Sequence, residues 1–258
     1  MKIYLTSLGF VFPPLYGILL CSVLFVACNE QTVRKQGYDV HGIDISHHQK
    51  EIDWEKVVAQ GIQFAFIKAT EGESYKDSFF CENWSEMKAV GIKRGAYHFF
   101  RPTVSAAKQA KNFIETAELE NGDFAPVLDV EVMDGVAPET LVDNVKAWLQ
   151  IVENHFKVRP IIYSNQKFFN QYLAEHINGY PLWVARYTSW RKPRLRNGED
   201  WQFWQYGNRG KLEGIKGLVD FNVFRGSKED MEAYTLVRPG PLLDPPPAPT
   251  SDLAVTNP

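Results

Sequence analysis

Short apolar runs recur along the chain, and each is rich in β-branched or aromatic residues. Runs of roughly four to eight such residues between polar or glycine-containing segments are typical of buried strands. Because most of the runs are continuously apolar, they predict a sheet whose outer face is covered by other elements. The predicted strands are 40–46, 64–69, 93–100, 124–131, 159–164, 181–187, 203–206 and 219–224.

Segments of helical length follow each of the first five predicted strands. The clearest one begins at Pro138 and carries Leu141, Val145 and Trp148 at helical spacing. The segments between the last three strands are too short or too polar for comparable helices. The predicted helices are 53–60, 79–90, 103–119, 138–156 and 167–177.

This order of elements predicts an α/β fold. Strands that alternate with helices form a parallel sheet, and eight such strands favour closure into a barrel. We therefore expect an irregular TIM-like barrel, with helices after five strands and a final third that is poor in helices. In such barrels the chemistry lies at the C-terminal ends of the strands.

The first 28 residues predict export. Lys2 is the only charged residue before Glu30, and the apolar stretch after it ends in Ala27 and Cys28. This pattern is typical of a secretory signal. A cysteine directly after a small residue resembles a bacterial lipoprotein signal, which predicts Cys28 as a lipidated N-terminus that anchors the protein to a membrane. An uncleaved transmembrane anchor is the alternative, because the uncharged run is long enough to span a bilayer. Either arrangement places the body of the chain in the cell envelope.

Composition divides the remainder of the chain into three parts. Residues 29–38 are polar and predict a tether, 39–237 predict one domain, and the proline-rich residues 238–258 predict a disordered tail. The net charge of −3 and the isoelectric point of about 6.1 give no indication of a surface for nucleic acid. Cys81 alone remains in the mature body, so no internal disulfide can form, and we expect a monomer.

The stretch "PVLDVE" (126–131) ends in two carboxylates that share one face of its predicted strand. Asp129 and Glu131 are two residues apart, which places their Cα atoms about 6.5–7 Å from each other. Pointing outward would bury two charges without partners, so we expect both to point into the barrel mouth. There, burial and like charge raise one pKa. One protonated and one ionised carboxyl are what glycoside hydrolysis requires, although solvated acids also end many strands.

Two further acids lie on the first and last predicted strands. Asp44 stands near the end of "GIDIS", and Asp220 stands at the start of "VDFNVF". These strands are neighbours in a closed barrel, so the two acids can converge on one rim. The position of Asp220 at the start of its run is at odds with an active rim formed by strand ends. Its convergence with Asp44 requires a shorter strand or a reach across a loop.

Aromatic residues collect at the same predicted strand ends. Aromatic faces stack well on the apolar faces of sugar rings, although any one of these residues could equally belong to the core. The group consists of Tyr97, Phe99, Tyr163, Trp183, Tyr187, Trp204 and Tyr206.

Several motifs together resemble one family. "GIDISHHQKEIDW", "FAFIKATEG", "GAYHFF", "VLDVE", "IYSN", "LWVARY", "FWQY" and "VDFNVF" occur in this order over residues 39 to about 226. They resemble the glycoside hydrolase family 25 lysozymes, which include phage and fungal N-acetylmuramidases. That family has a (β/α)5β3 barrel, in agreement with the helix pattern.

The resemblance implies hydrolysis of the β-1,4 bond between N-acetylmuramic acid and N-acetylglucosamine in peptidoglycan, without a cofactor. Glu131 matches the family's general acid/base, and Asp129 matches the residue that orients the substrate's own N-acetyl group as the nucleophile. The implied reaction is substrate-assisted and retaining. Asp44 and Asp220 match two supporting acids. The implied substrate-lining aromatic residues are Tyr97, Tyr163, Trp183 and Tyr206.

Three other functions were compared with this one. His47 and His48 invite a metal-dependent deacetylase, but adjacent strand residues point to opposite faces, so only one histidine could join the site and we expect no metal. A non-catalytic glycan-binding surface lipoprotein would keep the aromatic residues without needing four acids. A chitinase-type barrel requires a longer acidic signature, which fails at Val127 and Ala125.

Overall fold

The computed structural model describes residues 34–187 and 191–237. The predicted signal, the lipidation at Cys28, residues 29–33 of the tether and the proline-rich tail lie outside these ranges. Within them, no helix is long and apolar enough to cross a membrane. Cys81 is an exposed thiol.

One nine-stranded sheet closes into a barrel. Strand β1 pairs with both β2 and β9, so eight strands form a ring, while the short β3 pairs with β2 alone as a hairpin arm. The strands are β1 Val40–Ile45, β2 Phe64–Glu71, β3 Tyr75–Lys76, β4 Lys93–Phe99, β5 Val127–Asp129, β6 Ile161–Asn165, β7 Leu182–Ala185, β8 Phe203–Gly210 and β9 Val219–Phe224.

Helical segments follow the five barrel strands predicted to carry them, so the irregular TIM-like barrel is confirmed. The longest helix has proline in its first turn and ends at Lys157, whose left-handed backbone (φ 61°) stops it. The helices are α1 Trp54–Ala59, α2 Phe80–Ala89, α3 Ala106–Thr116, α4 Pro138–Phe156, α5 Gln166–Phe168 with a π-helical turn Phe169–Leu173, and α6 Lys228–Met231 with a 3₁₀ turn Glu232–Tyr234.

Strand β9 is antiparallel to both of its neighbours. The other seven ring strands are parallel to one another, whereas β9 pairs antiparallel with β8 and with β1. The start of β9 therefore lies at the rim where the other strands end, and Asp220 pairs in register with Asp44. Because β9 runs in this direction, a residue at the start of β9, such as Asp220, lies at the active rim. Neither a shortened strand nor a reach across a loop is needed.

The period-two alternation of the strands separates two apolar layers. One layer lies between the barrel and its helices, and the other fills the barrel interior with aromatic and branched side chains. Glycines make room for the interior rings. A Cβ atom on Gly42 would lie 2.4 Å from the Phe64 ring, and one on Gly95 would lie 2.6 Å from the Phe66 ring. The interior is therefore solid below the rim.

The helix-poor third of the barrel is covered by the segment 34–38. The Nζ atom of Lys35 lies 4.3 Å from the centre of the Trp204 ring. The Tyr38 ring lies 6.1 Å from the rings of both Trp201 and Trp204. The last five residues of the predicted tether thus pack against the outer face of β8.

Phe66 tests how much the interior packing contributes to stability. Its ring stacks on Trp183 at 4.4 Å and contacts Phe203 at 5.2 Å, with no solvent exposure. We expect Phe66→Ala to lower the free energy of unfolding by about 3–5 kcal/mol in urea denaturation, because it leaves a cavity. The control Leu218→Ala removes a side chain that is 44% exposed and should cost less than about 1 kcal/mol. Equal losses would contradict the packing described here.

Candidate active site

A cleft of about 320 Å³ opens at the rim formed by the strand ends. All four predicted acids line it, as do the predicted aromatic residues Tyr97, Tyr163 and Trp183. The other lining side chains include three that sequence reasoning had not placed there, Ser46, Gln49 and Gln205. The expected convergence of acids from the first, fourth and last predicted strands on one opening is therefore observed.

Alternation along β5 aims Asp129 and Glu131 into the cleft. Leu128 and Val130 point the other way and are fully buried against the helices. Glu131 lies beyond the last strand residue, but the extended geometry continues through Val130. The backbone N–H of Val130 donates to the carbonyl of Tyr163 (2.9 Å), and the carbonyl of Val130 accepts from Ser164 Oγ (2.7 Å).

Two amide side chains form hydrogen bonds with the acids on the opposite side of the cleft, Asp44 and Asp220. Asn222 Nδ2 donates to Asp44 Oδ2 (2.7 Å), and its Oδ1 accepts from Trp183 Nε1 (2.7 Å). Gln205 Nε2 donates to Asp44 Oδ2 (2.8 Å) and to Asp220 Oδ2 (3.1 Å). One amide therefore bridges the two supporting acids.

The oxygen atom of the Gln205 amide is also hydrogen-bonded. Its Oε1 accepts from the hydroxyls of Tyr163 (2.8 Å) and Tyr187 (2.7 Å). These bonds fix which way the amide faces, so its donors must point at the acids. Sequence reasoning missed Gln205 and Asn222. Strand alternation could have found Asn222, because it stands two residues from Asp220 and shares its face.

Burial raises the pKa of every acid in the cleft. The pKa values of Asp44 and Asp129 are raised well above their ordinary value, first by burial and then by the charges of Asp220 and Glu131 respectively. Burial and the Glu131 charge raise the pKa of Asp220 to about 6. Burial also raises the pKa of Glu131. The cleft therefore keeps protons at pH values where exposed carboxyls have lost theirs.

Lys68 is the positive charge that faces these acids. It lines the cleft, and its charge lowers the pKa of both Glu131 and Asp129. Its Nζ donates to Glu71 Oε2 (2.5 Å) and lies 4.8 Å from the Phe99 ring. Glu71 in turn accepts two bonds from Arg101, at 2.6 and 2.8 Å. In this position Lys68 balances part of the negative charge of the acids.

The histidine pair is arranged differently from the prediction. His47 and His48 lie in the turn after β1 rather than in the strand, so their rings do not alternate but lie 4.0 Å apart. His47 bonds to Asp77 through its backbone N–H (2.8 Å) and Nδ1 (3.0 Å), while His48 lines the cleft. Over residues 34–187 and 191–237, no three histidine, cysteine or acidic side chains are grouped to hold a metal ion.

His98 faces the helical layer. Its Nε2–H donates to Gln109 Oε1 (3.1 Å) and its Nδ1 accepts from Thr70 Oγ1 (2.7 Å). Burial lowers its pKa to about 4. With this pKa it is a neutral core histidine at neutral pH.

The structure does not bring Tyr206 into the cleft. Tyr206 lies on the outer face of β8, where it stacks on Phe221 at 6.1 Å and packs beside Trp204. The reason is alternation, because Gln205 takes the inward position and both of its neighbours must then point outward. Trp204 likewise belongs to the outer layer. Tyr187 is half-exposed at the edge of the cleft.

A family model supplies the deciding comparison. The model of the glycosyl hydrolases family 25 matches residues 43–215. The chain belongs to glycosyl hydrolase family 25. Strands β2 to β8, the second half of β1 and the acids Asp44, Asp129 and Glu131 lie within the matched residues, whereas Asp220 follows shortly after them.

Individual relatives agree with the family 25 assignment. YegX of Escherichia coli (strain K12) is 45% identical over 202 residues, covering 76% of this chain and 74% of YegX. Lysozyme M1 of Streptomyces globisporus is 35% identical over 203 residues, covering 73% and 68%. The structure of a family 25 glycosyl hydrolase from Bacillus anthracis has a TM-score of 0.73 at 31% identity, covering 79% and 96%. The family 25 protein is thus a glycoside hydrolase rather than a non-catalytic glycan-binding barrel.

The family 25 cleft predicts a mutual influence between Asp220 and Glu131. We expect the Asp220 carboxyl to titrate with a pKa of about 6 in carboxyl ¹³C NMR, and this pKa to fall in Glu131→Gln, because one raising charge is removed. The exposed Asp230, whose carboxylate accepts from the backbone N–H of the α6 N-cap residue Ser227, is the internal control, and its pKa should not change. Folding raises the Asp220 pKa above its ordinary value of 3.8. The contribution of Asp220 to the free energy of unfolding is therefore complete below about pH 4 and is lost as the pH rises through about 6. An Asp220 pKa unchanged by Glu131→Gln would contradict this coupling.

Proposed function

We propose that this family 25 hydrolase is a lysozyme that cleaves the β-1,4 bond between N-acetylmuramic acid and N-acetylglucosamine in peptidoglycan. The observation that carries the proposal is the meeting of Asp129, Glu131, Asp44 and Asp220 in one cleft of a family 25 barrel. The likeness to Lysozyme M1 supports the same substrate.

Glu131 is the proposed general acid and base. Burial raises its pKa, which favours the protonated form that can donate to the leaving oxygen. The Glu131 charge raises the pKa of Asp220, and such coupling is mutual. The charge of Asp220 therefore also favours a proton on Glu131. Lys68 opposes this effect and keeps the proton removable.

Asp129 is the proposed partner of the substrate's acetamido group. Its Oδ1 atom is buried and has no hydrogen-bond partner among the described residues. An acetamido N–H placed there would satisfy it, and a bond from that donor favours the ionised carboxylate. Asp129 and Glu131 raise each other's proton affinity, so they are expected to share one proton when the cleft is empty. Substrate binding would then leave that proton on Glu131, where the reaction needs it.

The proposed reaction takes place in two steps. In the first, the acetamido carbonyl oxygen bonds to the anomeric carbon of muramic acid while the bond to the leaving oxygen breaks and Glu131 gives that oxygen its proton. The oxazolinium ion that results keeps its N–H against the Asp129 carboxylate. In the second, water attacks the anomeric carbon, the oxazolinium ring opens, and Glu131 takes the water's proton. Two inversions give net retention.

The supporting residues have positioning roles in this proposal. Asp44 and Asp220, joined by Gln205, form the wall opposite Asp129 and Glu131 and keep the cleft electronegative. Tyr97 is partly exposed and is the proposed stacking surface for a sugar ring. Tyr163 and Trp183 are buried and form the floor.

We further propose an exported lipoprotein. The support is the pattern of residues 1–28, which ends in Ala27-Cys28, followed by the polar residues 29–33. In this arrangement Cys28 carries the lipid, 39–237 is the catalytic domain, 238–258 is a tail, and the protein acts as a monomer on glycan strands in the envelope.

Substitution of the two central acids tests the roles assigned to them. We expect Glu131→Gln to lower kcat on purified peptidoglycan by about three orders of magnitude, and Asp129→Asn to be nearly as harmful. The control Glu115→Gln makes the same change on the exposed surface of α3 and should leave kcat unchanged. If either acid variant digests peptidoglycan at the wild-type rate, the assignment is wrong.

The identity of the new chain end tests the bond specificity. A muramidase leaves muramic acid at each new reducing end, whereas a glucosaminidase leaves glucosamine, and borohydride reduction followed by mass spectrometry separates the two products. We also expect chemically de-N-acetylated peptidoglycan to be cleaved at least about a hundredfold more slowly, because it lacks the acetamido nucleophile. Glucosamine ends, or equal rates on both substrates, would count against the proposal.

A further inference from the structure

A groove with a strong excess of positive charge lies on the outer side of β7 and β8. It encloses about 1000 Å³, and its charged lining residues are Arg186, Arg191, Lys192, Arg194, Arg225 and Asp200. Five basic side chains thus face one acid, in a chain whose net charge is −3. We refer to it as the basic groove.

The loop 191–196, "RKPRLR", is fastened to the barrel rather than loose at the surface. Gln166 Oε1 accepts from Arg186 Nη1 (2.6 Å) and from the backbone N–H of Arg194 (3.1 Å). Asn170 Nδ2 donates to the carbonyl of Arg194 (3.1 Å), and its Oδ1 accepts from the N–H of Arg196 (2.8 Å). These hydrogen bonds hold the backbone of the loop in place, and Arg191, Lys192 and Arg194 are exposed on it.

One end of the basic groove lies beside strand ends that also form the catalytic rim. Arg186 and Tyr187 are consecutive residues after β7. The Tyr187 hydroxyl donates to Gln205 inside the cleft, whereas Arg186 lines the groove. Gln166, which also lines the groove, directly follows the last residue of β6.

We propose that the basic groove binds the carboxylates of the peptide stems that peptidoglycan carries on muramic acid; this inference rests on the proposed function. The stem is attached to the same sugar whose linkage is broken, so it must leave the cleft close to the catalytic acids. Its free carboxylates are repelled by the acidic cleft and attracted to guanidinium and ammonium groups, with which they form charge-assisted hydrogen bonds.

A membrane surface of anionic phospholipid would also attract these cations. The groove is concave, which suits a peptide chain better than a flat surface. Because most of its cations are exposed, each contact is worth little by itself and several must act together.

A pair of soluble glycan substrates tests the inference. One carries tetrapeptide stems, and the other is the same material after an amidase has removed them. We expect wild-type kcat/KM to be at least about fivefold higher on the stem-bearing chains. In the triple variant Arg191→Gln/Lys192→Gln/Arg194→Gln this preference should fall towards one through a rise in KM, with kcat on stem-bearing chains unchanged.

A matched control variant removes the same charge elsewhere. Lys108→Gln/Lys111→Gln/Lys146→Gln changes three exposed lysines of α3 and α4 and should keep the wild-type preference. If both triple variants lose the preference for stem-bearing chains equally, the preference depends on the overall charge of the protein, and the inference is overturned. A wild-type enzyme that cleaves both substrates equally well would overturn it too, while leaving the proposed function intact.

A binding measurement keeps the test independent of catalysis. Free tetrapeptide stem is titrated into the ¹⁵N-labelled protein, and we expect amide shifts confined to the groove residues, with binding at least about fivefold weaker in the groove variant. Absence of such shifts in the wild type would overturn the inference even if no hydrolysis is found. The same would follow if the wild type, but not the groove variant, binds anionic phospholipid vesicles while the stem peptide does not bind.

Discussion

Asp44 and Asp220 face each other across two antiparallel strands, and this pairing both closes the barrel and completes the cleft. Two carboxyls in register would repel each other if both were ionised. Asn222 and Gln205 reduce that repulsion by donating to Asp44, and Gln205 donates to Asp220 as well. Both amides are fixed at their other ends by Trp183, Tyr163 and Tyr187, so the acids are held by groups that cannot turn away.

The acidic rim is supported by the solid interior beneath it. Four partly or fully buried carboxyls near one another oppose folding at neutral pH, since burial and like charge both disfavour their ionised forms. Below them the rings of Phe64, Phe66, Trp183, Phe203 and Phe224 fill the barrel without solvent-filled space to spare. Each fully buried ring contributes on the order of 2–3 kcal/mol of transfer free energy. Catalytic sites commonly reduce stability in this way, and the packed interior offsets the loss.

The parts of the site that follow from local alternation could be predicted from sequence. Asp129 and Glu131 share a face because strands have a period of two, and burial cost alone sends them inward. The direction of β9 could not be predicted in this way. It depends on which neighbours the strand meets after the barrel closes, and nothing within "VDFNVF" records it. The face that Tyr206 takes could not be predicted either, because its neighbours Gln205 and Gly207 give no sign of which side of the strand an aromatic side chain lies on.

Amide residues are harder to predict still. Gln205 and Asn222 carry no charge and no reactive group, so residue type gives no signal for them, and their importance comes only from the partners that the fold brings near. The histidine pair shows the opposite error. His47 and His48 drew attention by type, but the chain turns between them and the prediction for a strand does not apply.

If Cys28 carries the proposed lipid, the docking of residues 34–38 on β8 would also limit where the enzyme can work. Only residues 29–33 would then separate the lipidated residue from the first docked position, and a fully extended chain over these six steps spans only about 20 Å. The barrel would then stay close to the membrane, in contact with the nearest layer of glycan and unable to reach more distant layers. The packing of Lys35 and Tyr38 against Trp204 would thereby set a working distance as well as cover a surface.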